Sequence, residues 1–333
     1  MTRPALSVAL PPSKDVVDYA LAAEHLGYER LWLFDSPALY GDIWVALGRL
    51  AEQTQRIKLG TGVAVPSTRH PMVTASAIAS IEELSPDRLT VAFGAGFTAC
   101  RAMGQKPMKW SELATCIRQI RGLLAGEVVE IDGLATQMIH SSGWAPDGPI
   151  TTPIWSAPSG PKGFEVSRQL DLDGVILSSP PQQGEHHAWK SNALLINGTV
   201  IRPGEDHTTP RLVEAIGPQY STGFHGIWEM WPQALDQTPG GAVWREAMLP
   251  ARPDHERHLA VHEGHLCYMT DRDRAGVQAA GAAILSQGWT GDAESIRTRL
   301  DQTGAAGIAE VVYNPVGPDI LGELAAFAEA AAG

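Results

Sequence analysis

Short, almost wholly apolar runs alternate with longer segments of helical spacing along most of this chain. The clearest pair is IKLGTGVAV at 57–65 and RLTVAFGAG at 88–96, and neither run shows the polar alternation of a half-exposed strand. The stretch between them, 71–84, carries Ala, Ile and Leu at helical spacing and is long enough to connect parallel strands. This pattern predicts a β-α-β unit whose strands are buried on both faces of a parallel sheet.

The same alternation predicts eight strands over the whole length. They are expected at 6–10, 30–34, 57–65, 88–96, 152–158, 174–179, 211–216 and 308–315, with 265–269 as the alternative for the seventh strand. Strands that alternate with helices in this way favour an α/β fold, the closed (β/α)8 or TIM barrel. A doubly wound open sheet is the alternative, but the sequence lacks the GxGxxG motif expected after its first strand.

The pattern weakens between residues 180 and 262. Several prolines and glycines and the tryptophans Trp189, Trp228, Trp231 and Trp244 occur there without a sustained period. Long insertions into a compact domain are usually lids or binding loops. We therefore predict one barrel domain over residues 1–333, in which 180–262 forms an irregular insertion or lid before the last barrel units.

Charge and cysteine content narrow the classes of partner. The 333 residues carry a net charge of -12 without a basic stripe, which argues against nucleic acid and anionic membranes as partners. No signal-peptide pattern begins the sequence and no long uncharged apolar stretch occurs in it, so a cytoplasmic location is expected. Cys100, Cys116 and Cys267 lack a CxxC spacing and are interpreted as free thiols.

The predicted strand ends carry the candidate chemistry, because ligands of parallel barrels bind beyond the carboxyl ends of the strands. Asp35 follows the second strand and is a candidate for proton transfer, although a turn or helix-cap role is nearly as common for an Asp before Ser-Pro. The glycine-containing turns at 62–70 and 94–98 follow the third and fourth strands. The turn SAPSGPKG combines backbone N–H groups, a hydroxyl and Lys162, which suits a phosphate group.

Several segments carry a family resemblance. They are AAEHLGYERLWLFDS, RIKLGTGVAVPSTRHPMVTASAIASIEELSPDRLTVAFGAGFTACRAMG, TPIWSAPSGPKG, DGVILSS and GDAESIRTRLDQTGAAGIAEVVYNPVGPD. In this order they resemble the bacterial luciferase-like superfamily, and within it the branch of the methylenetetrahydromethanopterin reductases. The superfamily includes flavin-dependent monooxygenases, and also reductases and dehydrogenases that use the deazaflavin coenzyme F420.

The resemblance implies that F420, or alternatively FMN, binds with its ring in the mouth of the barrel. A non-prolyl cis peptide is expected behind the ring at Gly62–Val63. Asp35 lies where deazaflavin reductases of the family keep an acidic residue near the ring. The other coenzyme contacts are expected at Gly94, Gly96 and Thr98, and, around the phosphate-bearing tail, at Ser156, Ala157, Ser159, Gly160, Pro161 and Lys162.

Two positions depart from the family pattern. Relatives often have a histidine after the acid of the second strand, where this chain has Ser36. The glucose-6-phosphate dehydrogenase branch keeps a glutamate where this chain has Phe97, which argues against sugar phosphate oxidation by those groups. His70 is therefore the second candidate for proton transfer, beside Asp35. The predicted substrate pocket comprises Trp44, Phe97, Ser178, His262 and His265.

The segment HERHLAVHEGHL places His255, His258, His262 and His265 on one face if it is helical. Two imidazoles at this spacing with a carboxylate would make a minimal metal site, but the HExxH order is not met and the family resemblance implies no metal. We interpret the stripe as a polar helix face without a bound metal. A metal-dependent barrel hydrolase that uses this stripe remains the alternative from another enzyme class.

These observations together predict an oxidoreductase. Reduced F420 would transfer a hydride to an unsaturated small molecule, and the protein would orient the reactants and supply a proton. An FMN monooxygenase that consumes O₂ is the alternative within the family. The resemblance also allows a homodimer.

Overall fold

The computed structural model of the protein describes residues 3–180 and 189–333. Parallel strands close into an eight-stranded barrel, which confirms the predicted (β/α)8 fold. In chain order the strands are β1 (Ala5–Leu10), β2 (Arg30–Leu33), β3 (Lys58–Ala64), β4 (Leu89–Phe93), β5 (Val129–Ile131), β6 (Leu134–Thr136), β7 (Ile154–Ser156), β8 (Gly174–Leu177), β9 (Asn192–Asn197) and β10 (Glu310–Asn314). Strands β5 and β6 form an antiparallel hairpin outside the barrel.

Helices surround this barrel and extend the region before its last strand. They are α1 (Val16–His25), α2 (Ile43–Gln53), α3 (Pro71–Leu84), α4 (Phe97–Ala102), α5 (Trp110–Leu124), α6 (Gly160–Gln169), α7 (Pro210–Met230), α8 (Gly241–Met248), α9 (His258–Val261), α10 (Asp271–Ala280), α11 (Ala293–Ala305) and α12 (Ile320–Ala332). Within the described residues, none of these helices has both the length and the apolar character needed to cross a bilayer.

The order of the strands around the barrel follows the chain, apart from the external hairpin. Strands β1, β2, β3, β4, β7, β8, β9 and β10 are neighbours in that order, and β10 pairs with β1 to close the ring. Every barrel pair is parallel. All carboxyl ends of the strands therefore lie at one end of the barrel, which we call the upper end. The other is the lower end.

The predicted seventh strand is wrong. Residues 211–216 belong to helix α7, in which Leu212, Ala215 and Ile216 are buried at helical spacing behind Pro210 in the first turn. The alternative strand at 265–269 is irregular. The seventh barrel strand is instead β9, whose short sequence NALLIN pairs with β8 and β10.

The predicted irregular character of 180–262 is also wrong over much of that range. Helices α7 and α8 occupy a large part of it, while 181–188 lie outside the described residues. The two helices pack through aromatic side chains, with the rings of Phe224 and Trp244 centred 5.8 Å apart. Gly276 of α10 permits this packing, because a Cβ there would lie 2.8 Å from the Phe224 ring. The part of this region that follows β9 is thus a helical layer with its own apolar core.

The lower end of the barrel is filled by side chains. Arg30 and Glu310 begin their strands, pair with each other and are 8% and 6% exposed. The indole Nε1 of Trp32 donates to Oε1 of Glu310 across 2.8 Å, and the Arg30 guanidinium lies 4.8 Å from the Trp32 ring centre. Trp155 packs against Trp32 with ring centres 5.5 Å apart. These contacts make the lower interior a packed core.

Candidate active site

A cavity of about 490 Å³ lies at the upper end of the barrel. Residues at the strand ends and in the turns after them line it, together with residues of helix α7 and of 262–266. Sites for small molecules and cofactors typically have volumes of about 300–1,000 Å³. Lining residues with polar side chains that sequence reasoning missed include Tyr40, Asn197, Gln219, Thr222 and Asn314.

The third strand is bulged at the cavity. The peptide bond between Gly62 and Val63 is cis, as the resemblance implied, and the pairing of β3 with β4 shifts register between Gly62 and Ala64. Below the bulge, the buried Thr61 hydroxyl donates to the carbonyl of Ala92 across 2.8 Å. Gly62 and Val63 both line the cavity.

The turn after β4 needs its glycines because valines approach it closely. A Cβ on Gly94 would lie 2.5 Å from Cγ2 of Val63, and a Cβ on Gly96 would lie 2.4 Å from Cγ1 of Val65. Gly96 also has a φ of +75°, in the left-handed region that side chains disfavour. Gly94 and Gly96 line the cavity, and so do the two predicted residues that follow them, Phe97 and Thr98.

Asp35 lies at the cavity wall, half-buried. The amide of Val65 donates to its Oδ2 across 2.9 Å, which ties the end of β2 to the loop after β3. The pKa of Asp35 is raised to about 6, mainly by burial and to a smaller extent by the negative charge of Asp42, while the Val65 hydrogen bond and Arg69 act in the opposite direction. A carboxyl group with such a pKa can hold or release a proton near neutral pH.

Three of the predicted site residues lie away from the cavity. His70 is exposed and caps helix α3, where its Nδ1 accepts from the amide of Met72 across 3.1 Å. Trp44 is 6% exposed and packs into the main hydrophobic core from the first turn of α2. Ser178 is exposed just past β8. Among the described residues that line the cavity, these three do not occur.

The remaining predicted residues lie at the end of β7 and in the turn into α6, and only some of them line the cavity. Ala157 and Ser159 line the cavity, whereas the Ser156 hydroxyl faces away and shares a hydrogen bond of 2.8 Å with Ser167. Gly160 and Pro161 form the first turn of α6, and Lys162 follows as an exposed cation. Within the described residues Ser159 makes no side-chain cap, so the first N–H groups of α6 remain available to an anion.

The predicted histidine stripe does not form one helix. His255 lies in a 3-10 turn, His258 begins the short α9, and Gly264 and Leu266 adopt positive φ values of 75° and 62° that break the helical path. His262 and His265 nevertheless line the cavity.

A third imidazole, which sequence reasoning missed, joins them from helix α7. Nδ1 of His225 lies 3.1 Å from Nδ1 of His265, and one ring nitrogen from each of His225, His262 and His265 falls within 4.8 Å of the others. Burial lowers the pKa of His225 and lowers that of His265 well below its usual value. Nothing in the sequence pattern joins His225 to the other two, because it lies 40 residues before His265.

Comparisons with known proteins find a matching family and several relatives of this chain. A model of the luciferase-like monooxygenase family matches residues 2–189. The 5,10-methylenetetrahydromethanopterin reductase of Methanolobus tindarius is 34% identical over 175 residues, which are 50% of this chain and 51% of that protein. An F420-dependent glucose-6-phosphate dehydrogenase of Beutenbergia cavernae is 30% identical over 188 residues, covering 50% of this chain and 53% of that protein.

A solved structure extends the likeness of the fold over the whole chain. The coenzyme F420 dependent tetrahydromethanopterin reductase from Methanopyrus kandleri superposes with a TM-score of 0.67 at 19% identity, covering 98% of both chains. In sequence, by contrast, the chain spans about half the length of the curated relatives it matches. The match to the family model covers the part of the chain that carries β1 to β8 and does not extend to helix α7 or residues 262–266.

Proposed function

Because the chain belongs to the luciferase-like monooxygenase family, we propose that it is an F420-dependent oxidoreductase that reduces an unsaturated small molecule by hydride transfer. Curated relatives that match half of its length include a 5,10-methylenetetrahydromethanopterin reductase and an F420-dependent dehydrogenase, which supports F420 as the coenzyme. Phe97 occupies the position where sugar phosphate dehydrogenases of the family keep a glutamate. The proposal is therefore a reductase rather than an oxidase of sugar phosphates.

One observation carries this proposal. The barrel side of the cavity is built from Gly62, Val63, Gly94 and Gly96, in a stretch where added Cβ atoms at 94 and 96 would collide with neighbouring valines. Such a wall keeps Val63 and Val65 in place and leaves the adjoining space free of larger side chains. A planar tricyclic ring needs this kind of wall, and the cavity volume of about 490 Å³ is adequate for it.

The turn before helix α6 would hold the anionic tail of the coenzyme. Ser159 lines the cavity, and the N–H groups of the first turn of α6 follow it directly. A helix N-terminus attracts negative charge, and the exposed ammonium of Lys162 adds to that attraction. Ala157 would contact the coenzyme between the ring and the tail.

Asp35 is the proposed proton donor. Its carboxyl group lies at the cavity wall with a pKa of about 6, so that roughly a tenth of it is protonated at pH 7 and the group can exchange a proton near neutral pH. The bound coenzyme would supply the hydride chemistry. The residues of α7 and 262–266, which face the barrel wall across the cavity, would contact the substrate.

Binding of F420 and FMN, measured separately by fluorescence quenching, tests the proposal. We expect saturable binding of F420 by the wild-type protein and no comparable binding of FMN. Gly94→Val should abolish the binding of F420, since a branched side chain at 94 would collide with Val63. Gly223→Ala is the control, because a Cβ at Gly223 meets no atom of the described residues within 4 Å. If neither coenzyme binds the folded wild-type protein, the proposal is overturned.

An FMN-dependent monooxygenase is the second candidate, and the description of the matching family favours it. Reduced flavin reacts with O₂, whereas a deazaflavin has carbon in place of N5 and does not activate O₂ usefully. Oxygen consumption by the protein with reduced FMN would support the monooxygenase. Binding of FMN in preference to F420 would point the same way.

A further inference from the structure

Three imidazoles lie close together beside helix α7, and two of them, His262 and His265, line the cavity. One nitrogen from each of His225, His262 and His265 lies within 4.8 Å of the others, and the Nδ1 atoms of His225 and His265 are 3.1 Å apart. Nitrogen ligands of a tetrahedral zinc ion, each at about 2.0–2.1 Å from the metal, lie roughly 3.3 Å from one another. The closest pair already has this spacing.

A hydrogen bond between His225 and His265 does not account for the third ring. His262 is 1% exposed, and within residues 3–180 and 189–333 neither of its ring nitrogens has a hydrogen-bond partner. Buried imidazole nitrogens without partners are unfavourable unless another ligand satisfies them. A cation among the three rings would satisfy His262 and the other two histidines together.

Carboxylates lie behind two of the rings. Nε2 of His225 lies 3.4 Å from Oδ1 of Asp273, whose own position is fixed by Trp244 Nε1 at 2.6 Å and by the hydroxyl of Thr270, also at 2.6 Å. Nε2 of His262 lies 3.6 Å from Oε1 of Glu229. A carboxylate behind a metal-bound histidine orients the ring and increases its basicity. Asp273 leaves the Nδ1 of His225, which faces His265, free to bind a metal.

We propose that His225, His262 and His265 bind a first-row divalent transition-metal ion of the Zn²⁺ class, with a coordination position open to the cavity. Three imidazoles with one free position form the ligand set of catalytic rather than structural zinc sites. His262 and His265 line the cavity, so the free position would take a water molecule or an oxygen atom of a small molecule bound there. The proposal of a metal site does not depend on the coenzyme. Contact between the metal ion and a substrate rests on the proposed function.

Metal titration of the full chain, prepared without a polyhistidine tag and stripped with a chelator, tests this site. Co²⁺ should bind in one equivalent and give the intense visible bands of a four-coordinate ion, and Zn²⁺ should displace it. His262→Gln and His265→Gln should each weaken Co²⁺ binding at least 100-fold. His255→Gln is the matched control, because His255 lies in the same segment with its side chain 79% exposed.

A second readout separates loss of the site from loss of folding. Zn²⁺ should raise the thermal unfolding temperature of the wild type and of His255→Gln, but not that of His262→Gln. Circular dichroism without metal checks that all variants are folded. The metal site is refuted if wild-type protein binds Co²⁺ no more tightly than folded His262→Gln. Neither measurement uses F420, so failure to bind the coenzyme would leave this result untouched.

Discussion

The two ends of the barrel differ in what fills them. At the lower end the strands begin with Arg30 and Glu310, and their ion pair lies against the rings of Trp32 and Trp155. At the upper end the strands finish in glycine turns around a cavity of about 490 Å³. Parallel strands bring all carboxyl ends to one edge, where side chains and backbone groups of successive turns can converge on a ligand. The lower end is therefore built as a packed core, whereas the upper end offers a cavity in which a ligand could bind.

Glycines allow close packing at both ends of the barrel, but a protein side chain fills the space at the lower end and a cavity lies beside the glycines at the upper end. A Cβ on Gly60 or on Gly174 would lie 2.4 Å from an atom of a tryptophan ring, so these glycines let Trp32 and Trp155 fill the lower interior. Gly94 instead accommodates Val63, and the cavity beside them remains free of larger side chains. A glycine in a barrel strand or turn thus indicates close approach, but not whether the protein or a ligand uses the space.

The largest expected effect comes from breaking the ion pair at the lower end. Glu310→Ala would leave Arg30 charged and buried without its partner, which costs about 3–5 kcal/mol in the free energy of unfolding. Urea denaturation measures this loss. Glu29→Ala is the control, because its pair with Lys58 is 44% exposed on both sides and contributes about 1 kcal/mol or less. If both variants lost a similar amount of unfolding free energy, the buried ion pair would contribute no more to stability than an exposed one.

Next comes a methyl group at the upper end. Gly94→Ala should displace Val63 and raise the dissociation constant for F420 at least about tenfold, or ~1.4 kcal/mol, with an overpacking cost of about 1–3 kcal/mol in stability. Coenzyme titration and urea denaturation report the two effects. Gly223→Ala in helix α7 should instead stabilise the protein by about 0.5–1 kcal/mol and leave binding intact. Unchanged binding in Gly94→Ala would separate Val63 from the coenzyme site.

Asp35→Asn should stabilise the protein in a pH-dependent way. The pKa of Asp35 in the folded protein is raised to about 6, so the unfolded chain loses this proton at lower pH and the native state loses stability as pH rises towards 6. The variant avoids this cost, and we expect it to be more stable by about 1–2 kcal/mol at pH 8 and equal to wild type near pH 3.5. Urea denaturation at both pH values measures the difference. A constant difference would contradict the raised pKa.

Sequence reasoning succeeded where short-range pattern and topology agree. The β3-α3-β4 unit has two apolar strands and a crossover of unambiguous helical spacing, and the structure has both strands and the helix where the pattern predicts them. It failed at 211–216, because a six-residue apolar run fits a strand and one face of a helix equally well. Because of that error helix α7 was not predicted, and its residues Gln219 and Thr222 were not recognised as lining the cavity.

The histidine site shows a different limit. His262 and His265 could be singled out by their spacing, but His225 lies on helix α7, which packs against α10 in the folded chain. Contacts made by tertiary packing leave no local periodicity to read. Likewise, Trp44 and His70 have side chains suited to a binding site. In the structure, however, Trp44 packs into the hydrophobic core and His70 caps helix α3.

The smallest expected effect compares two exposed cations, one at each end of the barrel. Lys162 lies in the first turn of α6, after the cavity-lining Ser159, and Lys58 begins β3 at the lower end. Lys162→Gln should weaken F420 binding about threefold, or ~0.7 kcal/mol, because an exposed charge is largely screened by water, and the loss should fade as salt rises. Lys58→Gln should leave binding unchanged at every salt concentration, since its charge lies at the opposite end. Equal losses in both variants would mean that the net charge of the protein attracts the coenzyme and that the α6 turn does not select its tail.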